Sequence, residues 1–470
     1  MSSQPAILPV WFRMLIITLA VVAGARGLAL IEHSPLLALA NNYDQIRYTA
    51  CLDLAPWRPG VPAETGSPQA PLARFVFQPL PMDLCVWTSD LLFSAPVAQA
   101  WRLSEVMGGR AIHSIRRLGE WRLLCLLLVA GWATVALLRA DRPDIAAAHL
   151  AWLALFGLDP ANVIYFSTFY AEAAATIGFY FCAIGVAVAL VRPTRGALLI
   201  AALGAAILGA SKFQHIVLPL LLGGALLIGA GSSARKVVLA VIVGGVLGLV
   251  VQVGNSARAT PIAHAISAVN RADFALLVLL PETSDRDRVV AALDMSDSCL
   301  AYIGKSVYAM PGAVENTCPN VGAWSRATLW WLLISDPPAL VAALTHIPTL
   351  LLPWLPGLGL VEGGHYTPLP RTVPSWSSLF GDNRAVASGL LLLPWCVFVA
   401  CLLRRAWRRA CGFALMCAVG STAVAVIALF GDGDVEFAKH AQLSINYALA
   451  SLGLVFAVLA RRALQRGVQP

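Results

Sequence analysis

The sequence is short of charge. Only 12% of its 470 residues are Asp, Glu, Lys or Arg, 59% are hydrophobic, and mean hydropathy is +0.74. A water-soluble domain of this length needs far more polar surface, so that class is excluded. No glycine motif of the P-loop or dinucleotide type stands in a strand–helix context, which leaves cytoplasmic nucleotide as an energy source unsupported. No repeat of fixed period runs along the chain, so it is not a solenoid. The apolar runs also lack the two-residue alternation of a barrel wall. Because lipid requires every backbone polar group to be satisfied internally, these runs read as helices.

Residues 10–30, 120–138, 170–191, 237–254, 384–403, 410–430 and 441–460 each approach the ~20 residues that cross a bilayer core. Residues 145–158, 196–210 and 216–230 are shorter but still apolar, giving about ten spans. The stretch 327–358 is apolar but broken by Asp336, Pro337, Pro338, Pro348, Pro353 and Pro356. It reads as an interfacial or re-entrant pair of short helices, with twelve spans as the upper bound. The first stretch has no clean small-residue cleavage site and carries Arg26 near its end, so it reads as a retained helix.

Cations set the orientation. With the N-terminus inside, the cytoplasmic segments hold Arg139, Arg142, Arg192, Arg195, Arg235, Lys236, Arg404, Arg405, Arg408, Arg409, Arg461, Arg462 and Arg466. The short opposite loops hold Lys212 and Lys439, a ratio of thirteen to two. The net charge of +8 is then mostly a topology signal and calls for no nucleic acid. The expected fold is all-α and polytopic. Residues 1–30 are the first span, and 31–119 a first extracytoplasmic loop. Residues 120–254 hold spans two to seven, 255–383 a second extracytoplasmic region, and 384–470 the last three spans. Within the first loop, residues 99–118 look amphipathic, suited either to the membrane surface or to plain solvent.

Four of the ten cysteines, Cys51, Cys85, Cys299 and Cys318, fall in the two outer loops. Cys51–Cys85 and Cys299–Cys318 are the local disulfide pairings, though four cysteines permit three connectivities and free thiols remain an alternative. The polar groups with chemical potential gather on the same face. NNYDQIRY places Asp44 just past the first span, three residues from Arg47, which makes it either a functional carboxylate or half of a local ion pair. DPANVIYFSTFYAE brings Asp159 and Glu172, the latter at a helix start where an acid also suits the dipole. SKFQH supplies Lys212, suited to snorkelling or to holding a phosphate, together with Gln214. The second loop adds Glu362, His365 and Arg371. GDGDVEFAKH alternates Asp432, Asp434 and Glu436, as a hard cation or a solvated turn would have it, and ends on Lys439 and His440. Trp324, Trp330, Trp331 and Trp354 read mostly as interface anchors.

On NNYDQIRY, FYAE, SKFQ and GDGDVEFAKH, the chain resembles the integral-membrane glycosyltransferases of the C superfamily (GT-C). It looks closest to the bacterial hexose-transferase branch of surface-glycan biosynthesis, in which an Asn-Asn-Gly-Asp-type sequence follows the first helix. Here Tyr43 stands at the glycine position. The resemblance implies a bacterial cytoplasmic membrane, both termini inside, and a polyprenyl-phosphate-linked sugar as donor. The acceptor would be a glycan, a lipid-linked oligosaccharide or a protein. Asp44 would be the base and Glu172 would orient hydroxyls. Lys212, Lys439, His440 and Arg371 would cradle the donor phosphate, with Asn42, Arg47, Gln214 and Tyr170 orienting substrate. Some relatives use a divalent cation (Mg, Mn or Ca), and no cofactor is certain. Two other classes fit the membrane setting. A glycan polymerase or ligase would rest on Arg258, Arg271, Arg286, Arg288 and Arg371. A lipid-linked glycan transporter would need mid-membrane charge, for which Arg26 and His149 stand out.

Overall fold

The computed structural model describes residues 8–39, 42–58, 73–258, 260–352, 354, 359–361, 365–367, 373–381, 383–404 and 407–466. The chain is mostly helical. Among the described residues, eight helical stretches are long and apolar enough to cross a bilayer, and Pro143–Gly157 and Arg195–Ser211 are shorter apolar helices. The helices of the first half are α1 (Val10–Ile31), α2 (Asn42–Thr49), α3 (Leu91–Val106), α4 (Arg116–Arg139), α5 (Pro143–Trp152), α6 (Pro160–Val163), α7 (Ala171–Val191), α8 (Arg195–Ser211), α9 (Leu218–Ala230), α10 (Arg235–Arg258) and α11 (Pro261–Asp273). Arg384–Leu402, Arg408–Asp432 and Gln442–Arg466 close the bundle. Each of the ten expected spans is therefore helical. The stretch Phe213–Arg258 folds back at Gly231, whose φ of +64° favours glycine, so α9 and α10 pack side by side.

The bundle is built around α7, which is apolar on every face and buried along nearly its whole length. Lipid tails are as apolar as leucine, so helices associate here through close packing of small residues. A Cβ at Gly204 of α8 would lie 2.1 Å from the backbone nitrogen of Cys182 in α7, so the two backbones are nearly in contact.

Three readings need correction. Residues 99–118 are not one amphipathic helix: α3 ends at Val106, and Gly108, at φ +80°, turns the chain into a short strand before α4. Pro261–Glu282, expected within the second extracytoplasmic region, is a continuous 22-residue helical stretch, long and apolar enough to cross a bilayer. Trp324 and Trp354 are buried in the core, Trp324 donating its indole N–H to the Leu293 carbonyl at 2.7 Å, whereas Trp330 and Trp331 are exposed as anchors would be. Helices Arg326–Ile334 and Pro337–Leu350 meet at 101°, because Pro337 and Pro338 stop the first helix and Asp336 caps the second.

The fold is not wholly α. Strands β1 (Leu54–Pro56), β2 (Arg74–Phe77) and β3 (His113–Ser114) form a small antiparallel sheet, with Ala55 opposite Val76 and Phe75 opposite His113. Phe75 packs edge-to-face on Phe169 at 4.9 Å, tying this sheet to the segment just before α7. A second antiparallel hairpin pairs Gly359–Val361 with His365–Thr367. Both local disulfides form, Cys51–Cys85 and Cys299–Cys318.

Candidate functional site

The first loop returns to the bundle through α2. The buried side chain of Gln45 accepts the Phe169 N–H at 2.8 Å, while Cys51, just past the helix, is bridged to Cys85. These ties hold Asp44 against the start of α7. Asp44 Oδ1 accepts from Arg47 at 3.0 Å, the local ion pair that the three-residue spacing allows. Its Oδ2 accepts from the Tyr170 hydroxyl at 2.9 Å and from Lys439 Nζ at 3.2 Å. Lys439 comes from the short helix Phe437–His440, between the last two spans. Its ammonium also bonds Glu436 at 2.6 Å and lies 4.8 Å from the Tyr170 ring centre.

A second chain of contacts runs alongside. Lys212, immediately after α8, bonds the Glu172 carboxylate in the first turn of α7. Its ammonium also approaches His440 Nδ1 at 3.5 Å. The other ring nitrogen of His440 lies 3.2 Å from Asp432 Oδ2, which also accepts from Gln214 at 2.7 Å. The two chains meet at Lys439 and His440, adjacent residues on one turn. Four separate segments thus bring Asp44, Arg47, Tyr170, Glu172, Lys212, Gln214, Asp432, Glu436, Lys439 and His440 into one polar cluster at the end of an apolar bundle.

Burial alone would raise the Asp44 carboxyl, but Lys439, Arg47 and the Tyr170 hydroxyl together hold it well below the usual carboxylate range. Burial works against the charge of Lys439, yet Asp44, Tyr170 and Glu436 raise it well above its ordinary value. Burial, reinforced by Lys212 and Lys439, pushes His440 well below the usual imidazole range, so the ring is neutral. Its neighbours then assign the tautomer: Nδ1 accepts from the Lys212 ammonium and Nε2–H donates to Asp432. Tyr170 is raised well above its ordinary value, chiefly by burial, and remains a donor.

The remaining expected residues stand differently. Arg371 and Glu362 lie outside the described residues, as do the side chains of Asn42 and His365. Asp159 belongs elsewhere, bonded to Arg26 at 3.0 Å, Ser375 at 2.8 Å and the Trp376 N–H at 3.0 Å. Asp432 and Glu436 turn to different partners instead of converging on a cation. Among the described residues no group of three His, Cys, Asp or Glu side chains could hold a metal ion.

Sequence reading missed the support behind the cluster. Arg122, inside α4 and 0% exposed, donates to both oxygens of the buried Asp90 at 2.5 Å. Its other nitrogen donates to the carbonyls of Tyr165 at 3.3 Å, Phe166 at 2.6 Å and Thr168 at 2.5 Å, which fixes the segment leading into Tyr170. An arginine inside an apolar run was the available signal. Arg326 was missed as well; it donates to the Gly431 carbonyl at 3.1 Å, beside Asp432.

No known protein-family model matches the chain, and no curated protein matches it in sequence.

Proposed function

We propose that this chain is a membrane glycosyltransferase of the GT-C kind, moving a sugar from a polyprenyl-phosphate carrier to an acceptor hydroxyl on the extracytoplasmic face. The observation that supports this reading is the convergence of Asp44, Glu172, Lys212, Lys439 and His440 from distant segments onto one site. The acceptor oxygen bonds to the anomeric carbon as the bond from that carbon to the phosphate oxygen breaks. The acceptor proton passes to Asp44, and the polyprenyl phosphate leaves. Base and phosphate on opposite faces of the sugar give inversion. A carboxylate held so far below its usual range is a weak base, which suits late proton transfer. By then the hydroxyl has become acidic through bonding to an electron-poor carbon. Phosphate leaves without acid assistance, so lysines that offset its charge suffice.

The other two classes are less well supported. Arg258 bonds the Cys85 carbonyl at 3.1 Å and Arg288 bonds Ser335 at 2.9 Å, so the arginines a polymerase would use are dispersed. Of the two groups a transporter would use, Arg26 is paired with Asp159, and His149 is buried within α5.

The test is transfer of labelled sugar from a polyprenyl-phosphate donor pool in membranes, comparing the intact chain with Asp44→Asn at equal expression. A loss of about 10²–10⁴-fold is expected. Unchanged transfer in the variant would reduce Asp44 to an ion-pair partner. No transfer by the intact chain from any monosugar donor would sink the whole reading.

A further inference from the structure

The small sheet has two faces. Phe75 of β2 is buried against Phe169, on the side of the polar cluster, and Arg74 lies exposed on the other side. There a basin of about 460 Å³ is lined by Ala73, Arg74, Arg110, Ile112, Ser114 and Arg116. Three arginines and a serine line it, and among the described residues no carboxylate does. Arg74 is steadied over the Trp57 ring at 5.7 Å. Arg116 is anchored by donating to the carbonyls of Ile31 at 2.9 Å and His33 at 2.7 Å. Neither Arg74 nor Arg110 forms an ion pair among the described residues. The neighbouring Arg117 is engaged with Glu120 at 2.7 Å.

Two features say what such a basin would hold. Its depth along the bundle is set by Arg116, which opens α4 and binds the end of α1, where two candidate spans leave the apolar slab. In a bilayer crossed by these two helices, that end would lie at the level of the headgroups. Large apolar side chains are also exposed here: Ile112 on the basin's wall, and Leu103, Val106 and Met107 a few residues before Arg110 in the chain, at the end of α3 and the turn beyond. Cationic forks next to exposed apolar surface match a ligand that is anionic at one end and hydrocarbon at the other.

We propose that this basin binds a phosphate-bearing anion through Arg74, Arg110 and Arg116, as the headgroup of an anionic lipid or as free phosphate. The site is separate from the polar cluster and holds whether or not sugar transfer does. The full chain, purified in detergent, is exposed to phosphatidylglycerol or phosphatidylcholine, and retained lipid is counted by native mass spectrometry. Inorganic phosphate is titrated separately, with the thermal midpoint as readout. The intact chain should retain phosphatidylglycerol in preference to phosphatidylcholine, and Arg74→Gln/Arg110→Gln should weaken that retention at least about tenfold, because charge-assisted bonds are lost. Protection by inorganic phosphate that disappears in the variant, with no preference between the lipids, would assign the same arginines to free phosphate. Equal lipid retention by both proteins, with phosphate protecting neither or both alike, overturns the proposal. Arg110→Gln alone, at an exposed turn position, serves if the double variant does not fold.

Discussion

Removing Asp90 alone should harm the protein more than replacing Asp90 and Arg122 together by apolar residues. The pair is out of solvent at 1% and 0% exposure, and one arginine nitrogen serves both carboxylate oxygens at 2.5 Å. Asp90→Ala leaves a guanidinium buried without its counter-charge, a change that costs roughly 3–5 kcal/mol. The three carbonyls on the other nitrogen remain, which places the expected loss near the lower end. Asp90→Leu with Arg122→Met removes both charges, and such exchanges are often near neutral for the pair itself. What that double variant forfeits is the grip on the Tyr165, Phe166 and Thr168 carbonyls, worth about 1–3 kcal/mol where one of them is left unsatisfied. The assay is the temperature at which half of the monodisperse peak is lost on heating in detergent. The double variant should fall between the single variant and the intact chain. Sugar transfer should nonetheless remain depressed in the double variant, since the segment before Tyr170 has lost its support. Stability recovering without activity is what a positioning role predicts and a purely structural one does not. If Asp90→Ala matches the intact chain in stability, the pair is not what holds this corner together.

Two further outcomes are expected. In Lys439→Gln the acid limb of the pH–transfer profile, which in the intact chain lies below about pH 4, should move up toward the range from about pH 4 to about pH 8. Burial, the largest influence on Asp44 and an upward one, would then no longer be opposed by the Lys439 charge. The sign follows from linkage: a depressed carboxyl lends stability above its unfolded value near 4, lost as pH falls through the folded value, and Lys439 supplies much of that depression. An unmoved limb would mean that Lys439 does not govern Asp44. Gly204→Ala should destabilise the bundle by about 1–3 kcal/mol, because the added methyl falls short of ordinary contact with the α7 backbone by roughly an ångström. Gly224→Ala, with nothing within 4 Å of the added carbon, should be neutral or slightly stabilising in the same heating assay.

Most of the bundle was legible because a bilayer imposes one rule, about twenty apolar residues closed as a helix; seven of the ten segments approach that length, and the three shorter ones are helical as well. Pro261–Glu282 escaped notice because its hydropathy of 1.4 is the lowest of the candidate spans and His264, Asn270, Arg271 and Asp273 interrupt it. The disulfides followed from separations of 34 and 19 residues within single loops. The polar cluster was legible residue by residue, since acids and lysines at the ends of apolar helices stand out against so little charge. Their pairing was not. Nothing in the chain announces that Lys439 reaches Asp44 across 395 positions, or that Lys212 chooses Glu172. Sequence spacing favours the i, i+3 partners, which is why Asp44 and Arg47 were foreseen as a pair. The sheet was missed because its strands run for two to four residues and draw on three separated stretches, too short for alternation to register.

The way the cluster is paired bears on how it would work as a transferase. Each lysine that would receive a phosphate already faces a carboxylate, Lys212 through Glu172 and Lys439 through Asp44 and Glu436. An arriving anion therefore has to take part in an exchange. As Lys212 turns to the phosphate, Glu172 is released to accept hydroxyl donors of the sugar. As Lys439 shifts, Asp44 keeps Arg47 and Tyr170 but loses the strongest charge holding its proton affinity down. The base would thus strengthen only when a donor phosphate is in place. The neutral His440 suits the same exchange, because its Nδ1 can give up Lys212 without stranding a charge while Nε2–H stays on Asp432. A site of separate, uncompensated lysines would bind phosphate more tightly, but it would leave Asp44 equally basic in the empty and the loaded state. Mutual neutralisation gives up some affinity and in return ties activation of the acceptor to the presence of the donor.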